Sequence, residues 1–320
     1  MTPAMRRRAG WTLAVLAVIA VGTLSLRRID FGRLMLELRN VHTAWLAAAL
    51  VCYATILPLW AVQWSLLAPR TERNTLARML GVTSMMSSTL NTTPFFVGEA
   101  AGIALLVTRI GVSRAAAVSI TLMDQMLVGI AKVTVLSLAA MLLTLPDWMR
   151  TGWETLALGV AVLLLLAALA LWRRDHVVSR AHRSLPARMA HAIDNLGASL
   201  EPLRSPTRGG LALLLALAKK FAEILAIVCV QRAFGIAMPM ANAVLVLAAL
   251  NLATMLPIVP GNLGVYEGAV ILVYTRLGLS AEHAVSIAVV QHACYFVALA
   301  APGYLWAASA AASRVRAAAV

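Results

Sequence analysis

The chain is predicted to be all-α, a polytopic helical membrane protein whose inverted repeats contain short or re-entrant helices. Three observations predict it: composition, the lengths of the apolar runs, and a long-range internal repeat. Of 320 residues, 61% come from the set AVILMFWYC and 12% are charged, and mean hydropathy is +0.85. A soluble domain carries about 25% charged residues. The chain has too little polar surface to coat a water-soluble globule of its size, which excludes a soluble enzyme, a disordered chain and a disulfide-stapled secreted domain. Lys and Arg total 27 against 13 acids, a formal charge of +14. That excess reads as the basic content of cytoplasmic loops and not as a nucleic-acid footprint, because no soluble module exists to carry a basic face. Cys52, Cys229 and Cys294 lie in apolar runs without CxxC spacing and read as small buried hydrophobes.

A hydrocarbon core of ~30 Å takes about 20 helical residues to cross. Apolar stretches of that length lie near 9–26, 43–68, 115–145, 153–172, 209–234, 240–258 and 284–310. Shorter or interrupted ones occupy 78–93 with 95–110, and 261–275 after the 240–258 span. The first follows Arg6-Arg7-Arg8, and no small-x-small site precedes Arg27-Arg28, so it reads as an uncleaved helix starting inside. Residues 173–208 carry seven arginines against Asp175, Asp194 and Glu201, while 146–153 and 235–239 are nearly uncharged. The basic loop is therefore expected in the cytoplasm, with both termini on the same side of the cell's inner membrane. One segment runs against that rule: residues 27–42 carry four arginines, yet the crossing count places them outside. Within the basic loop, Val177, Val178, Ala181, Leu185, Met189, Ile193 and Leu196 recur at helical spacing. One or two helices lying on anionic inner-leaflet headgroups are expected there, with a solvated linker as the alternative.

The repeat orders the rest. Residues 107–125 and 274–292 share eight of nineteen residues at an offset of 167, among them Arg109/Arg276, Gly111/Gly278 and Ser113/Ser280. Upstream, Pro94-x3-Gly98-x3-Gly102 is matched by Pro260-x3-Gly264-x3-Gly268. Proline suits the first turn of a helix, and a GxxxG strip lets another backbone approach closely. The arginines suit helix C-termini, the next glycines a left-handed turn, and the serines the following N-cap. Each unit reads as short helix, tight turn, long helix, over about 78–145 and 240–310. The crossing count puts Arg109 and Arg276 on opposite faces, so the units are inverted, a design that secondary transporters use to open one site to either side.

Ionisable groups in a span cost about 2.5–3.5 kcal/mol each and ask for a reason. The candidates are Glu99, Asp124, Lys132, Lys219, Lys220, Glu223 and Glu267, with Asn91, Asn251, Asn262, Gln125, Gln291 and His292 as polar neighbours. Lys219 and Glu223, four apart on one helix, share a face and are placed to pair, which leaves Lys220 without a partner on its own helix. No metal-ligand spacing or other cofactor motif is present; the six histidines are scattered and paired acids are absent from the spans.

The run Pro257-Ile258-Val259-Pro260-Gly261-Asn262-Leu263-Gly264-Val265-Tyr266-Glu267 resembles the PxxPGGxGxxE signature of the lysylphosphatidylglycerol synthase transmembrane family, whose domains are flippase-like. Pro94 to Glu99, with Arg109-x-Gly111, resembles that family's first-half motif, and the likeness spans roughly 40–305. Asn262 departs from the usual glycine and is expected to make its turn less permissive. The resemblance implies binding and translocation of a membrane lipid, with stand-alone members tied to hopanoid, glycolipid or isoprenoid pathways. It also implies no aminoacyl transfer, because the chain ends at Val320 without the synthase members' soluble domain. Glu267 is the acid of the motif and the leading site residue. With it stand Glu99 for a cationic headgroup or a proton, Lys132, Lys219 and Lys220 for a lipid phosphate, and Glu223, Arg109, Arg276 and Asn262. A non-transporting scaffold for lipid-biosynthesis enzymes, and an integral-membrane enzyme, remain the alternatives.

Overall fold

The structure is a computed structural model that describes Gly32 and residues 39–69, 71–93, 97–176, 205–255 and 259–318, with backbone alone over 167–176 and 310–318. The candidate helix 9–26, the core of the basic loop, Pro94 and Pro257 lie outside the described residues. What is described is helical throughout. Helices α1 (Thr43–Ala54) and α2 (Ile56–Leu67) form one bent span. The bend falls at Thr55, where Pro58 supplies no N–H and the Thr55 hydroxyl donates to the Cys52 carbonyl at 2.6 Å. Next come α3 (Leu76–Thr92), α4 (Val97–Leu105, extended by a wide turn over Leu106–Ile110), α5 (Arg114–Leu142) and α6 (Asp147–His176). The second half holds α7 (Pro206–Ala233), α8 (Met240–Ala253), a single tight turn Pro260–Asn262, α9 (Val265–Arg276) and α10 (Ala281–Ala318).

Among the described residues, four helices are long and apolar enough to cross a membrane: Thr43–Leu67, Arg114–Leu142, Asp147–Leu166 and Ala281–Ser309. Helix α7 has the length, but its charges break the apolar run. It answers by sitting at the centre, packed on α1, α2, α5, α8 and α10. Helix α8 is apolar on every face, and its residues from Ala243 to Asn251 are all buried, as expected of a helix with no solvent or lipid side.

The 17 residues of α3, the 14 of α8 and the 12 of α9 reach only about 26, 21 and 18 Å, short of the hydrocarbon core. They fold into hairpins. Gly98 of α4 faces Leu90 of α3 and Gly102 faces Met86, so the two strands of the first hairpin are antiparallel. Helix α3 also runs antiparallel to α10: Gly81 faces Trp306, Gly303 faces Ser84, and the Ser88 hydroxyl donates to the Ala300 carbonyl. Helix α9 returns against α10 through a tight turn, with Tyr266 bonded to Gln291 and Glu267 to His292. The α8 end near Thr254 and the α9 start near Tyr266 line one cavity, while Tyr274 at the far end of α9 bonds Gln231 just before α8 begins. The α3–α4 and α8–α9 hairpins therefore run in opposite directions, as the offset repeat predicts.

The ends of the bundle follow. Thr71 donates to the Ile110 carbonyl at 3.1 Å and Gln63 to that of Ala212 at 3.2 Å, which brings the ends of α2 and α4 and the start of α7 together. At the other end, the His42 amide donates to Ala233 at 2.9 Å and Phe234 meets His283. Arg109 and Arg276 are exposed at these opposite ends. Residue 42 shares the Arg276 end; most of the segment 27–42 lies outside the described residues. The turn chemistry is as expected: Gly111 and Gly278 have φ of 79° and 91°, and Ser113 and Ser280 accept the Ala116 and His283 amides.

The paired GxxxG strips differ in use. In the first hairpin, Gly98 and Gly102 are the surface that α3 packs on, whereas Gly264 and Gly268 have nothing within 4 Å of where a Cβ would be. The second close approach uses Gly303 instead, beside the helix-interior Pro302 on α10. A Cβ at Gly303 would overlap the Ser84 carbonyl. Gly303→Ala should cost about 1–3 kcal/mol by overpacking, and Gly268→Ala should be neutral or gain up to about 1 kcal/mol of helix propensity. Thermal unfolding of the two variants in one detergent checks the contrast.

Candidate functional site

The tips of the two hairpins meet inside the protein. Asn91, at the end of α3, presents its backbone carbonyl to Gly261, where a Cβ would come within 2.8 Å. The tip of the second hairpin needs left-handed backbone at three of four residues: Gly261, Asn262 and Gly264 have φ of 61°, 53° and 82°. Asparagine is among the few side chains that tolerate this region. Asn262 thus keeps the turn that glycine would make, and it is the one non-glycine residue with positive φ among the described residues. Pro260 opens this tight turn and not the helix after it, because α9 starts at Val265. There the Gly264 amide donates to Glu267 at 2.7 Å, so the α9 N-terminus is capped by its own carboxylate.

Behind the tips lies a cavity of about 300 Å³ walled by both halves of the chain. One side comes from α7. The expected Lys219–Glu223 pair is not formed. Lys219 reaches across to Asp124 of α5, 3.5 Å away, and Lys220 pairs with Glu223 at 2.8 Å while donating to Asn251 of α8 at 3.2 Å. Residues three apart on a helix are as close as residues four apart, so tertiary partners choose between them. Trp60 of α2 donates its indole N–H to the other Asp124 oxygen at 3.0 Å, and its ring lies 5.3 Å from the Lys219 ammonium. The Lys219 and Asp124 side chains are only 8% and 3% exposed, and such a pair is strongly unfavourable to break.

Two charged groups at the cavity have no partner. Lys132, about two turns beyond Asp124 on α5, lines it and forms no ion pair or hydrogen bond with any described residue. Glu99, in the first turn of α4, lines the opposite part, and its Oε2 is buried without a hydrogen-bond partner among the described residues. Asn251 Nδ2 and Asn262 Oδ1, on the same wall, are likewise buried and unbonded. The cavity combines two neutralised pairs with one unpaired cation, one unpaired carboxylate and free amide groups. Buried polar atoms are normally bonded, so a cluster of exceptions marks a place where a polar ligand or water completes the set.

The remaining predicted residues are placed differently. Glu267 does not line the cavity; its carboxylate is held by Gly264 on one oxygen and by His292 at 2.7 Å on the other. His292 stacks on Tyr266 with ring centres 4.2 Å apart, and Tyr266, which does line the cavity, accepts from Gln291 at 2.9 Å. Glu267 thus steadies the hairpin tip behind the wall. Arg109 and Arg276 lie at the bundle ends, away from the cavity. Sequence reasoning had no reason to select Trp60 or Tyr266, since an aromatic in an apolar helix looks like any packing residue. Asp124 did carry a signal as an acid inside a span, and its partner could not be read. No three His, Cys, Asp or Glu side chains gather into a metal-sized group among the described residues.

A family model described as lysylphosphatidylglycerol synthase TM region matches residues 11–303. No curated protein and no solved structure gives a significant match.

The pairing at Asp124 has a measurable consequence. Asp124→Leu strands a buried ammonium and should lower stability by about 3–5 kcal/mol, while the double variant Asp124→Leu/Lys219→Met should recover most of it. Thermal unfolding of the single and double variants checks the recovery. At the hairpin tip, Asn262→Gly should be neutral or stabilising, and Asn262→Val should cost about 1–2 kcal/mol, the price of left-handed backbone for a branched residue; the same assay reads it.

Proposed function

The chain belongs to the lysylphosphatidylglycerol synthase TM family, and from that premise we propose that it binds a membrane lipid by its headgroup in the inter-hairpin cavity and carries it between leaflets of the cell's inner membrane. The observation that carries this reading is the unpaired Lys132 beside a cavity walled by two oppositely directed hairpins. Asp124 and Glu223 neutralise the other two lysines, so the bare cavity needs no net counter-charge beyond what Lys132 and Glu99 would draw. A lipid phosphate suits Lys132, with Asn251 adding an N–H donor. Glu99 suits an ammonium or hydroxyl at the far end of the headgroup.

This charge pattern favours a phosphate-bearing lipid, whether a phospholipid or a phosphate-linked isoprenoid or glycolipid, over a neutral hopanoid. The hairpin design supplies the movement. Short helices that enter from opposite ends and meet at their tips can rock against each other, closing the cavity toward one face as they open it to the other. The contact between Asn91 and Gly261 is one that has to slide. Handling a lipid calls for no bond to break, and the chain is read as a non-enzyme on that ground.

The test is translocation of labelled phosphatidylglycerol by purified protein in proteoliposomes. Lys132→Met should slow it by at least about tenfold, as the loss of a charge-assisted hydrogen bond of about 1.5–3 kcal/mol implies, with the protein still monodisperse. Unchanged transport by that variant removes Lys132 from the mechanism. No transport by the unaltered protein overturns the reading.

A further inference from the structure

Next to the polar cavity lies a second hollow, a groove of about 680 Å³ between α5 and α6. Its walls are apolar, with Met126 and Val128 on one side and Leu156, Val160 and Leu163 on the other. Both hollows include Gln125, Val128, Lys132 and Met255 in their linings, so they adjoin along those four side chains and Lys132 stands on the wall they share. The groove's outer wall is built by a helix that can span a bilayer, and Leu158, Val162 and Leu163 on it are 67%, 47% and 52% exposed. Large aliphatic side chains left uncovered on a spanning helix face hydrocarbon, so the groove opens sideways into the membrane. That wall leaves room at Gly159, where a Cβ would touch nothing within 4 Å. Lys132 is also deep: eighteen residues separate it from both Arg114 and Arg150, so its ammonium cannot reach an interface by stretching.

The geometry points to a lateral portal in which a hydrocarbon tail of the lipid lies in the α5–α6 groove, its phosphate sits at Lys132, and the rest of the headgroup occupies the polar cavity. This deepens the proposed function and rests on it. A polar hollow adjoining an apolar one, with an unpaired cation on the wall they share, matches a single amphiphile with an anionic neck. A water-soluble anion would use only the first hollow. A tail kept in the groove stays in hydrocarbon while the headgroup travels through protein, so the costly transfer of either part into the wrong medium is avoided.

The probe is phosphatidylglycerol carrying a diazirine midway along one acyl chain, in phosphatidylcholine vesicles with the full chain. Irradiation should place adducts on residues 125–132 and 155–164. Gly159→Trp fills the groove without reaching the polar cavity. It should lower both labelling and translocation of this probe at least about tenfold, the loss expected when about two methylenes are expelled. Tailless glycerophosphoglycerol should still protect Lys132 of that variant from acylation. Met141→Trp, on the same pair of helices at a position 85% exposed and outside the groove, should leave transport unchanged and controls for bulk at the lipid face. If unaltered protein moves the probe and Gly159→Trp moves it equally well, or adducts fall only elsewhere, the portal is wrong and the cavity reading stands. If unaltered protein neither binds nor moves it, the functional reading fails first. A disulfide formed readily between cysteines placed at Val18 and Leu163 would show the chain's own N-terminal segment in the groove, which also overturns the portal.

Discussion

Two adjacent lysines in the middle of α7 constrain the whole bundle. A charge cannot face hydrocarbon cheaply, so α7 must be surrounded, and the groups surrounding it must include acids. Asp124 supplies one from the first half of the chain and Glu223 supplies the other from α7 itself. Trp60 and Asn251 complete the two pairs, which ties α2, α5, α7 and α8 to a single point. The helix whose charges break its apolar run is thereby the one on which most of the spans converge.

The same requirement shapes the cavity. Short helices leave frayed ends in the interior, and a frayed end in a dry medium needs bonding partners. Helix α3 keeps its own polar side chains bonded within the helix: Ser88, Thr89, Asn91, Thr92 and Thr93 donate to carbonyls one turn back. Helix α9 meets that need with Glu267 at its first turn, braced by His292. With these side chains bonded within their own hairpins, the hollow between the tips is left to other groups. The unbonded Lys132, Glu99, Asn251 and Asn262 atoms are the part of the site that the fold has left open.

A close approach between the halves is made where small residues allow it. Gly303 against Ser84 and Gly261 against Asn91 each leave no room for a side chain, and each joins one half of the chain to the other. These two contacts hold α10 and the second hairpin tip against α3, one along its length and one at its end. The second is a contact that has to shift if the hairpins move, and the turn that makes it is built from residues comfortable at positive φ.

Much of this could be read in the residues. Apolar run lengths placed most of the described helix ends within a few positions, since burial in hydrocarbon imposes a length that composition reports directly. The Gly-x-Ser turns after Arg109 and Arg276 were legible because their chemistry is local, and the offset repeat announced two opposed hairpins. Partner choice was not legible. Lys219 had Glu223 one turn away and bonded Asp124 instead; the GxxxG at Gly264 looked like its twin at Gly98 and packs on nothing; Glu267 carried the motif and turned out to be a brace behind the wall. Each of those outcomes depends on which helix comes alongside and at what height. Spacing along one helix is a property of the chain, whereas distance between helices exists only once the bundle has closed, and only the tertiary structure decides it.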